Sequence, residues 1–209
     1  MADNRIKIYT ATFGLGWFWG PDAQFGRLPG VIRTRVGYAG GSTLNPTYRT
    51  IGDHTEIIQI DFNPDLISYK DLLDLFWEYH DAFAPAYSRQ YRSLLLFSDE
   101  EQRQQALASK EKYEQLAQRK VYTAIEPLSE FTLAENYHQK YYLRQRSSLM
   151  RDLLQAYPTE PEFINATLSA RMNAVAAGLM DEDMLAELLA NPVLSEDTKQ
   201  RLSGNRMRI

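Results

Sequence analysis

The sequence predicts an α+β fold with a helical segment at its C-terminal end. Stretches of alternating apolar and polar residues are separated by stretches with helical apolar spacing, in the order strand-helix-strand-strand-helix-strand. After residue 146 the strand pattern stops, whereas signals for helix starts continue. We therefore predict a first domain at residues 1–146 and a helical C-terminal extension, packed on it, at residues 147–209.

Three strands and two helices account for the first part of the chain. Alternation of apolar and polar residues predicts strands at residues 6–13, 31–37 and 56–62. A helix is predicted at residues 17–28, ahead of a turn at Pro29 and Gly30. A second helix begins at Ser68, with Asp71 placed to complete a capping box.

The second part continues the same alternation before it becomes helical. Strands are predicted at residues 90–97 and 121–128. Ser98 and Glu101 form a capping-box pattern at the start of a charged helix that runs to Lys120. A tyrosine-rich helix is predicted at residues 131–146. Further helix starts are marked by two polar pairs, Thr159 with Glu162 and Ser195 with Thr198.

Composition and charge exclude several classes of protein. Hydrophobic residues make up 44% of the 209 residues and charged residues 24%, the usual mix of a globular protein with a substantial core. The net charge of −4 argues against a broad surface for nucleic acid or anionic membranes. Residues 1–5 lead into no apolar signal segment, and no window has the length of a membrane span. We therefore predict a cytoplasmic protein without a nucleic-acid or membrane partner.

Cysteine is absent from the sequence. No disulfide framework, thiolate metal site or cysteine nucleophile can therefore be formed by this chain. The three histidines and the acidic residues show no spacing that resembles a metal site. We predict neither a metal nor a cofactor.

The most unusual stretch is the glycine- and tryptophan-rich segment at residues 14–20. Trp17, Phe18 and Trp19 stand between glycines where the first strand gives way to the first helix. Free backbone N–H groups at such a junction make it a candidate binding site. The alternative is an aromatic helix start that packs into the core, and composition alone does not decide between the two.

A third interpretation of this segment is dinucleotide binding. Gly14, Gly16 and Gly20 follow a strand with a spacing that resembles a relaxed dinucleotide-binding motif. However, the acidic residue expected about 20 residues further on is missing. Trp17 and Trp19 would also crowd a loop that should let a pyrophosphate approach. Both features argue against this interpretation.

Five blocks of sequence, in the right order, resemble the A-type peptide methionine sulfoxide reductases. They lie at residues 11–20, 28–41, 45–56, 90–93 and 134–141. The first block is similar to that family's signature glycine-cysteine-phenylalanine-tryptophan-glycine, with Trp17 at the position of the cysteine. The resemblance covers roughly residues 6 to 146. It implies a ferredoxin-type mixed sheet with flanking helices.

The resemblance also implies roles for particular residues. In the family a cysteine thiolate attacks the sulfoxide sulfur, and an acid protonates the departing oxygen. By motif position Glu56 is that acid, and Tyr48 and Tyr91 hydrogen-bond the sulfoxide oxygen. Phe18 and Trp19 form the apolar wall for the substrate methyl group. Glu56 would need a pKa raised by an apolar, shielded site to act near neutral pH.

The sequence departs from the family at three places. Trp17 has no thiol and cannot form a sulfenic acid intermediate. The loop between Tyr48 and Glu56 is shorter than in many members, and residues 84–87 replace an aspartate that many members have. His54 orients Glu56 or makes a local hydrogen bond within its loop, and the sequence leaves both open.

These observations predict a homologue that lacks the nucleophile and cannot reduce methionine sulfoxide. Its aromatic site would be retained to bind a small molecule or a methionine-containing peptide, and thioredoxin is not expected to act on it. Two alternatives stay open: an enzyme of the family whose catalytic cysteine has been replaced, and a different acid–base reaction on the same scaffold.

Overall fold

A computed structural model describes residues 7–204, and within them six strands form one mixed sheet. The strands are β1 (Tyr9–Leu15), β2 (Val31–Ala39), β3 (Thr55–Phe62), β4 (Ser93–Phe97), β5 (Ala124–Pro127) and β6 (Phe131–Leu133). The helices are α1 (Trp19–Gly26), α2 (Tyr69–Glu78), α3 (Glu100–Ala117), α4 (Tyr141–Arg144), α5 (Ser147–Ala156), α6 (Glu160–Asn165), α7 (Thr167–Ala176), α8 (Glu182–Ala190) and α9 (Glu196–Gly204). The predicted first strand included Ile6, which lies outside the described residues.

The sheet has the strand order β5-β4-β1-β3-β2-β6. β1 is antiparallel to both of its neighbours, β3 and β4, and β2 is antiparallel to β3 and β6. Only β4 and β5 pair in parallel within the described part of the chain. The predicted α+β fold with a mixed sheet is confirmed. Because α1 does not connect β1 to a parallel neighbour, the helix does not belong to a dinucleotide-binding β-α-β unit.

The main core lies between the sheet and the helices α2 and α3. Inward-facing residues of alternating strand positions, such as Phe13, Ile58 and Leu95, are fully or almost fully buried. They pack with Leu72 and Phe76 from the apolar side of α2. The side chain of Ser68 caps α2 and completes a capping box with Asp71, as the sequence predicts.

The start of α3 differs from the prediction by one residue. Asp99, rather than Ser98, is the N-cap, and its carboxylate accepts a hydrogen bond from the Gln102 backbone N–H at 2.8 Å. The Gln102 side chain returns a bond by accepting from the backbone N–H of Ser98 at 3.0 Å. The Gln102 side chain therefore accepts the return hydrogen bond that the sequence pattern predicted for Glu101.

The prediction of a helix at residues 131–146 is wrong for the first half of that range. Phe131–Leu133 is the edge strand β6, and the helix α4 spans only Tyr141–Arg144. Pairing with β2 decides the outcome, because sheet contacts between distant residues override a local helical pattern. The strand predicted from residue 90 also begins later, at Ser93, because Arg89–Tyr91 forms a 3-10 turn.

The helices α5 to α9 follow the sheet without a further strand in the described residues, as the sequence predicts. Thr159 and Glu162 form the predicted capping box at α6, and the Ser195 hydroxyl accepts from the Thr198 backbone N–H at 3.4 Å near the start of α9. The helices share an apolar cluster that includes Leu188. The domain boundary after residue 146 stays a prediction.

Buried polar bonds join this helical part to α1 and β2, next to a buried ion pair. Lys140 and Asp22 are both fully buried and form an ion pair at 2.9 Å. The Lys140 ammonium also donates to the Thr34 backbone oxygen at 2.6 Å. From α7, the Asn173 amide donates to Asp22 at 3.2 Å, and the Arg171 guanidinium donates to the Val31 backbone oxygen at 3.1 Å. The ionic groups therefore have the partners that burial demands.

No helix within residues 7–204 is long and apolar enough to cross a lipid bilayer. The cytoplasmic location stays a prediction.

Candidate functional site

The glycine- and tryptophan-rich segment forms the turn between β1 and α1. β1 ends at Leu15, and α1 begins at Trp19, so Trp17 and Phe18 lie in the turn itself. Gly16 has a φ of 86°, in the left-handed region where a residue with a side chain would be strained. This turn points the Phe18 backbone N–H at the carboxylate of Glu56 on β3.

Glu56 is a buried carboxylate near the start of β3, where it pairs with Tyr38 of β2. Its side chain accepts hydrogen bonds from the Phe18 backbone N–H at 3.2 Å and from the Gln90 amide at 2.9 Å. Burial raises the pKa of Glu56, and these two hydrogen bonds lower it by less, so the pKa lies above its ordinary value of 4.5. Its environment therefore favours a carboxyl group that can hold a proton.

Trp17 precedes the residue whose backbone N–H bonds to Glu56, and it is 58% exposed. Its ring centroid is 5.8 Å from that of Trp19, in an edge-to-face arrangement, and 5.9 Å from that of Tyr91. The indole N–H reaches the Tyr87 hydroxyl at 3.5 Å. Tyr87 is one of the residues 84–87 that depart from the family pattern, and the structure places it at the site.

Trp19 is fixed from two sides. Its indole N–H donates to Nδ1 of His138 at 3.1 Å, and its ring stacks on Tyr141 with centroids 3.8 Å apart. Because Nδ1 of His138 accepts this bond, the imidazole is neutral with its proton on Nε2. Burial lowers the pKa of His138, which favours the same neutral form. Phe18 is buried against Tyr38 and His138.

The two predicted tyrosines stand at the rim of the site. The Gln90 amide donates to the Tyr91 hydroxyl at 3.0 Å and so connects Tyr91 to Glu56. Burial and a hydrogen bond with Tyr48 raise the pKa of Tyr91, so its phenol keeps its proton. The backbone N–H of Tyr48 donates to Glu135 at 3.0 Å, which ties the Tyr48 turn to the segment that follows β6.

The structure brings all the predicted site residues into one cluster linked by hydrogen bonds and ring contacts: Trp17, Phe18, Trp19, Tyr48, Glu56 and Tyr91. Their roles in catalysis and binding stay predictions. His54 does not contact Glu56 through its Nε2 atom, which instead bonds to the Thr43 backbone oxygen at 2.8 Å. Of the two open interpretations of His54, the structure supports the local one.

The sequence did not identify four residues that bond to or stack on the cluster and hold it in place: Gln90, Glu135, His138 and Tyr141. All four lie in the last two blocks that resemble the family, and this position in the blocks is the sequence feature that could have identified them. No group of three or more potential metal-ligating side chains occurs within the described residues.

Fold and site together define the class of protein to which the chain is similar. A mixed sheet carries, at the end of β1, a shielded carboxyl group beside aromatic rings and two tyrosine hydroxyls. Such a site can donate a proton to an acceptor oxygen and hold a methyl group against the rings. Residues 9–169 match the sequence pattern of the family described as peptide methionine sulfoxide reductase. The chain belongs to this family.

Relatives from distant organisms support the assignment. The peptide methionine sulfoxide reductase of Drosophila melanogaster is 45% identical over 180 residues, which cover 85% of this chain and 72% of that protein. The MsrA of Methanothermobacter thermautotrophicus is 41% identical over 155 residues, 68% of this chain and 92% of the relative. Among solved structures, methionine sulfoxide reductase A of Corynebacterium diphtheriae has a TM-score of 0.61 and 30% identity, covering 68% of this chain and 77% of its own.

A further solved structure corrects the expectation about thioredoxin. Mxr1 from Saccharomyces cerevisiae in complex with Trx2 matches with a TM-score of 0.50 and 25% identity, over 63% of this chain and 84% of that chain. A protein with this fold thus binds Trx2, which contradicts the expectation that thioredoxin is no partner. That expectation considered only the missing thiol, whereas association between proteins depends on the whole contact surface.

Proposed function

We propose that this chain is a family member without thiol-dependent reductase activity, whose aromatic site binds a methionine derivative and does not turn it over. The observation that carries the proposal is the absence of cysteine from the whole sequence. Reduction in this family requires a sulfur nucleophile that takes the oxygen to become a sulfenic acid. An indole at Trp17 cannot form a sulfenic acid, which a thiol reductant would reduce to the thiol with release of the oxygen as water.

The rest of the site supports retention of binding. Phe18 and Trp19 supply an apolar wall, and Trp19 is held in place by His138 and Tyr141. Glu56 has a raised pKa because it is buried. A site that had lost all function would have no requirement to keep a shielded carboxylate and a fixed indole next to each other.

The exposure of Trp17 also fits this proposal. The indole ring packs against Trp19 and Tyr91 but leaves more than half of its own surface open to solvent. It therefore lies at the surface of the site, and does not belong to the hydrophobic core. A ligand can gain contact with both indoles by stacking and hydrogen bonding.

A paired assay of the parent and Trp17→Cys tests the proposal. An N-acetylated methionine S-sulfoxide is the substrate, and dithiothreitol or a thioredoxin is the reductant. We expect no turnover by the parent. We expect turnover by the variant, because its thiolate would stand beside Glu56, Tyr48 and Tyr91, the residues to which the family resemblance gives the remaining roles. Trp17→Ser is the matched control, since it opens the same space without a thiol.

Each arm of this assay addresses a separate claim. Turnover by the parent, or by Trp17→Ser, would contradict the claim that the chain lacks reductase activity. An inactive Trp17→Cys that unfolds at the same temperature as the parent would contradict the claim that the other residues keep the family's arrangement. Because Trp17 is exposed, we expect the three proteins to differ by no more than about 0.5 kcal/mol in the free energy of unfolding.

A further inference from the structure

Glu56 is a buried carboxylate without a cationic partner among residues 7–204. Burial, Gln90 and the Phe18 backbone account for the shift of its pKa, and no positively charged group contributes. Both hydrogen-bond donors to the carboxylate are neutral N–H groups. A buried carboxylate is stabilised by a positive charge placed close to it. A ligand that carries a cation would supply what the chain does not.

The surface beside Glu56 consists of aromatic rings. Trp17 is 58% exposed, Tyr87 77% and Tyr48 38%. Gln90 bonds to Glu56 and to the hydroxyl of Tyr91, whose ring packs on Trp17, so the rings and the carboxylate belong to one site. Faces of aromatic rings attract cations, and methylated onium groups are bound in this way because they combine a positive charge with an apolar shell.

We infer that this site binds a methyl sulfonium group, in which a positively charged sulfur carries a methyl group where a sulfoxide carries its oxygen. The inference rests on the proposed function and names the ligand class of the same site. Sulfonium and sulfoxide sulfurs are both pyramidal, so the two groups have similar shapes. The sulfonium presents methyl groups to the rings of Trp17 and Trp19, and Glu56 balances its charge.

The competing ligand is the sulfoxide itself. Its oxygen is negatively polarised and needs a proton donor, so it favours a protonated Glu56. Burial of Glu56 also favours the protonated form, whereas its two hydrogen bonds, both from N–H donors, favour the ionised carboxylate. A sulfonium ligand and these donors therefore stabilise the same form of Glu56, whereas a sulfoxide competes with them.

Calorimetric titration of the full chain tests the inference with three matched probes. These are the N-acetyl amides of S-methylmethionine, methionine sulfoxide and methionine. We expect the sulfonium to bind about tenfold more tightly than either neutral probe. Glu56→Gln should remove this preference, and Trp17→Leu should weaken sulfonium binding about fivefold. Tyr122→Ala is the control, because Tyr122 is a similarly exposed aromatic residue, at 61%, outside the cluster of site residues.

The outcomes separate this inference from the proposed function. Sulfoxide binding as tight as sulfonium binding, or a preference that survives in Glu56→Gln, would overturn the sulfonium assignment and leave the proposed function standing. Failure of all three probes would overturn both. A circular dichroism spectrum of Glu56→Gln that matches the parent's shows that the variant is folded, so loss of the sulfonium preference reports charge and not collapse.

Discussion

The raised pKa of Glu56 makes the free energy of unfolding depend on pH. Burial raises the pKa in the folded protein, whereas the unfolded chain has the ordinary value of 4.5. Between these two pH values the folded state holds a proton that the unfolded state has lost. The free energy of unfolding therefore falls as pH rises through this window. Once the pH exceeds the raised pKa, the full cost of the buried charge is present.

Replacing Glu56 with glutamine should remove this cost. We expect the free energy of unfolding of Glu56→Gln, relative to the parent, to increase as pH rises above 4.5 and then to level off. Each tenfold difference in proton affinity between folded and unfolded states corresponds to about 1.4 kcal/mol. Urea denaturation between about pH 4 and about pH 8 measures the difference. A difference that does not change with pH would show that Glu56 titrates alike in both states.

At the scale of elements, the periodic strands could be predicted well because their pattern is local. The strand predicted at residues 56–62 is β3 at Thr55–Phe62. The strand β6 could not be predicted, because it forms through hydrogen bonds to the distant strand β2. One such bond runs from the N–H of Ala134, directly after β6, to the Val36 oxygen at 3.0 Å. Nothing in the sequence near Ala134 encodes that distant partner.

The candidate site also has residues that could be predicted from the sequence and residues that could not. The turn that carries Trp17, Phe18 and Trp19 could be identified from its composition, and the resemblance to a family added Glu56 to it. The supporting role of His138 could not be predicted, because it depends on a hydrogen bond from Trp19 across 119 residues of sequence. Such a contact exists only after β1, β2 and the segment behind β6 have assembled.

A buried ion pair lies where α1, β2 and α7 meet. Lys140 and Asp22 are fully buried, and Thr34 and Asn173 complete their hydrogen bonds. Lys140→Met should lower the free energy of unfolding by about 3–5 kcal/mol, because it leaves the Asp22 charge buried without its cation. Chemical denaturation measures this loss.

A double-mutant cycle separates charge from packing at this ion pair. We expect Asp22→Asn combined with Lys140→Met to be more stable than Lys140→Met alone, because the uncompensated charge is then gone. A double variant as unstable as the sum of the two single losses would show that the two side chains act independently. The exposed pair Lys70 and Asp74, at 2.8 Å, is the control and should couple by less than about 1 kcal/mol.

At the scale of the whole molecule, buried hydrogen bonds hold the C-terminal helix α7 against α1 and β2. α7 reaches across to α1 and β2 through Arg171 and Asn173. Asn173 also accepts a hydrogen bond from the Leu143 backbone N–H at 3.1 Å, next to the segment that holds His138. Since α1 begins at Trp19, the packing of the helical part supports the geometry of the candidate site. We infer from these buried bonds that the chain unfolds as one cooperative unit.

Leu188→Ala tests this cooperativity from the far end of the chain. Leu188 is fully buried on α8 in the apolar cluster of the C-terminal helices, so its truncation should cost about 2–5 kcal/mol. The three tryptophans, at positions 17, 19 and 77, all precede α5, so tryptophan fluorescence reports only the sheet and its nearest helices. Circular dichroism reports all of the helices together.

Two-state unfolding requires the two signals to change together. We expect the denaturation midpoints from fluorescence and from circular dichroism to coincide in the parent, and to fall by the same amount in Leu188→Ala. The exposed Leu116, 74% accessible on α3, provides the control, and Leu116→Ala should move neither midpoint appreciably. A fluorescence midpoint that stays at the parent's value in Leu188→Ala would mean that the helical part unfolds alone. The buried bonds of α7 would then be too weak to couple that part to the site.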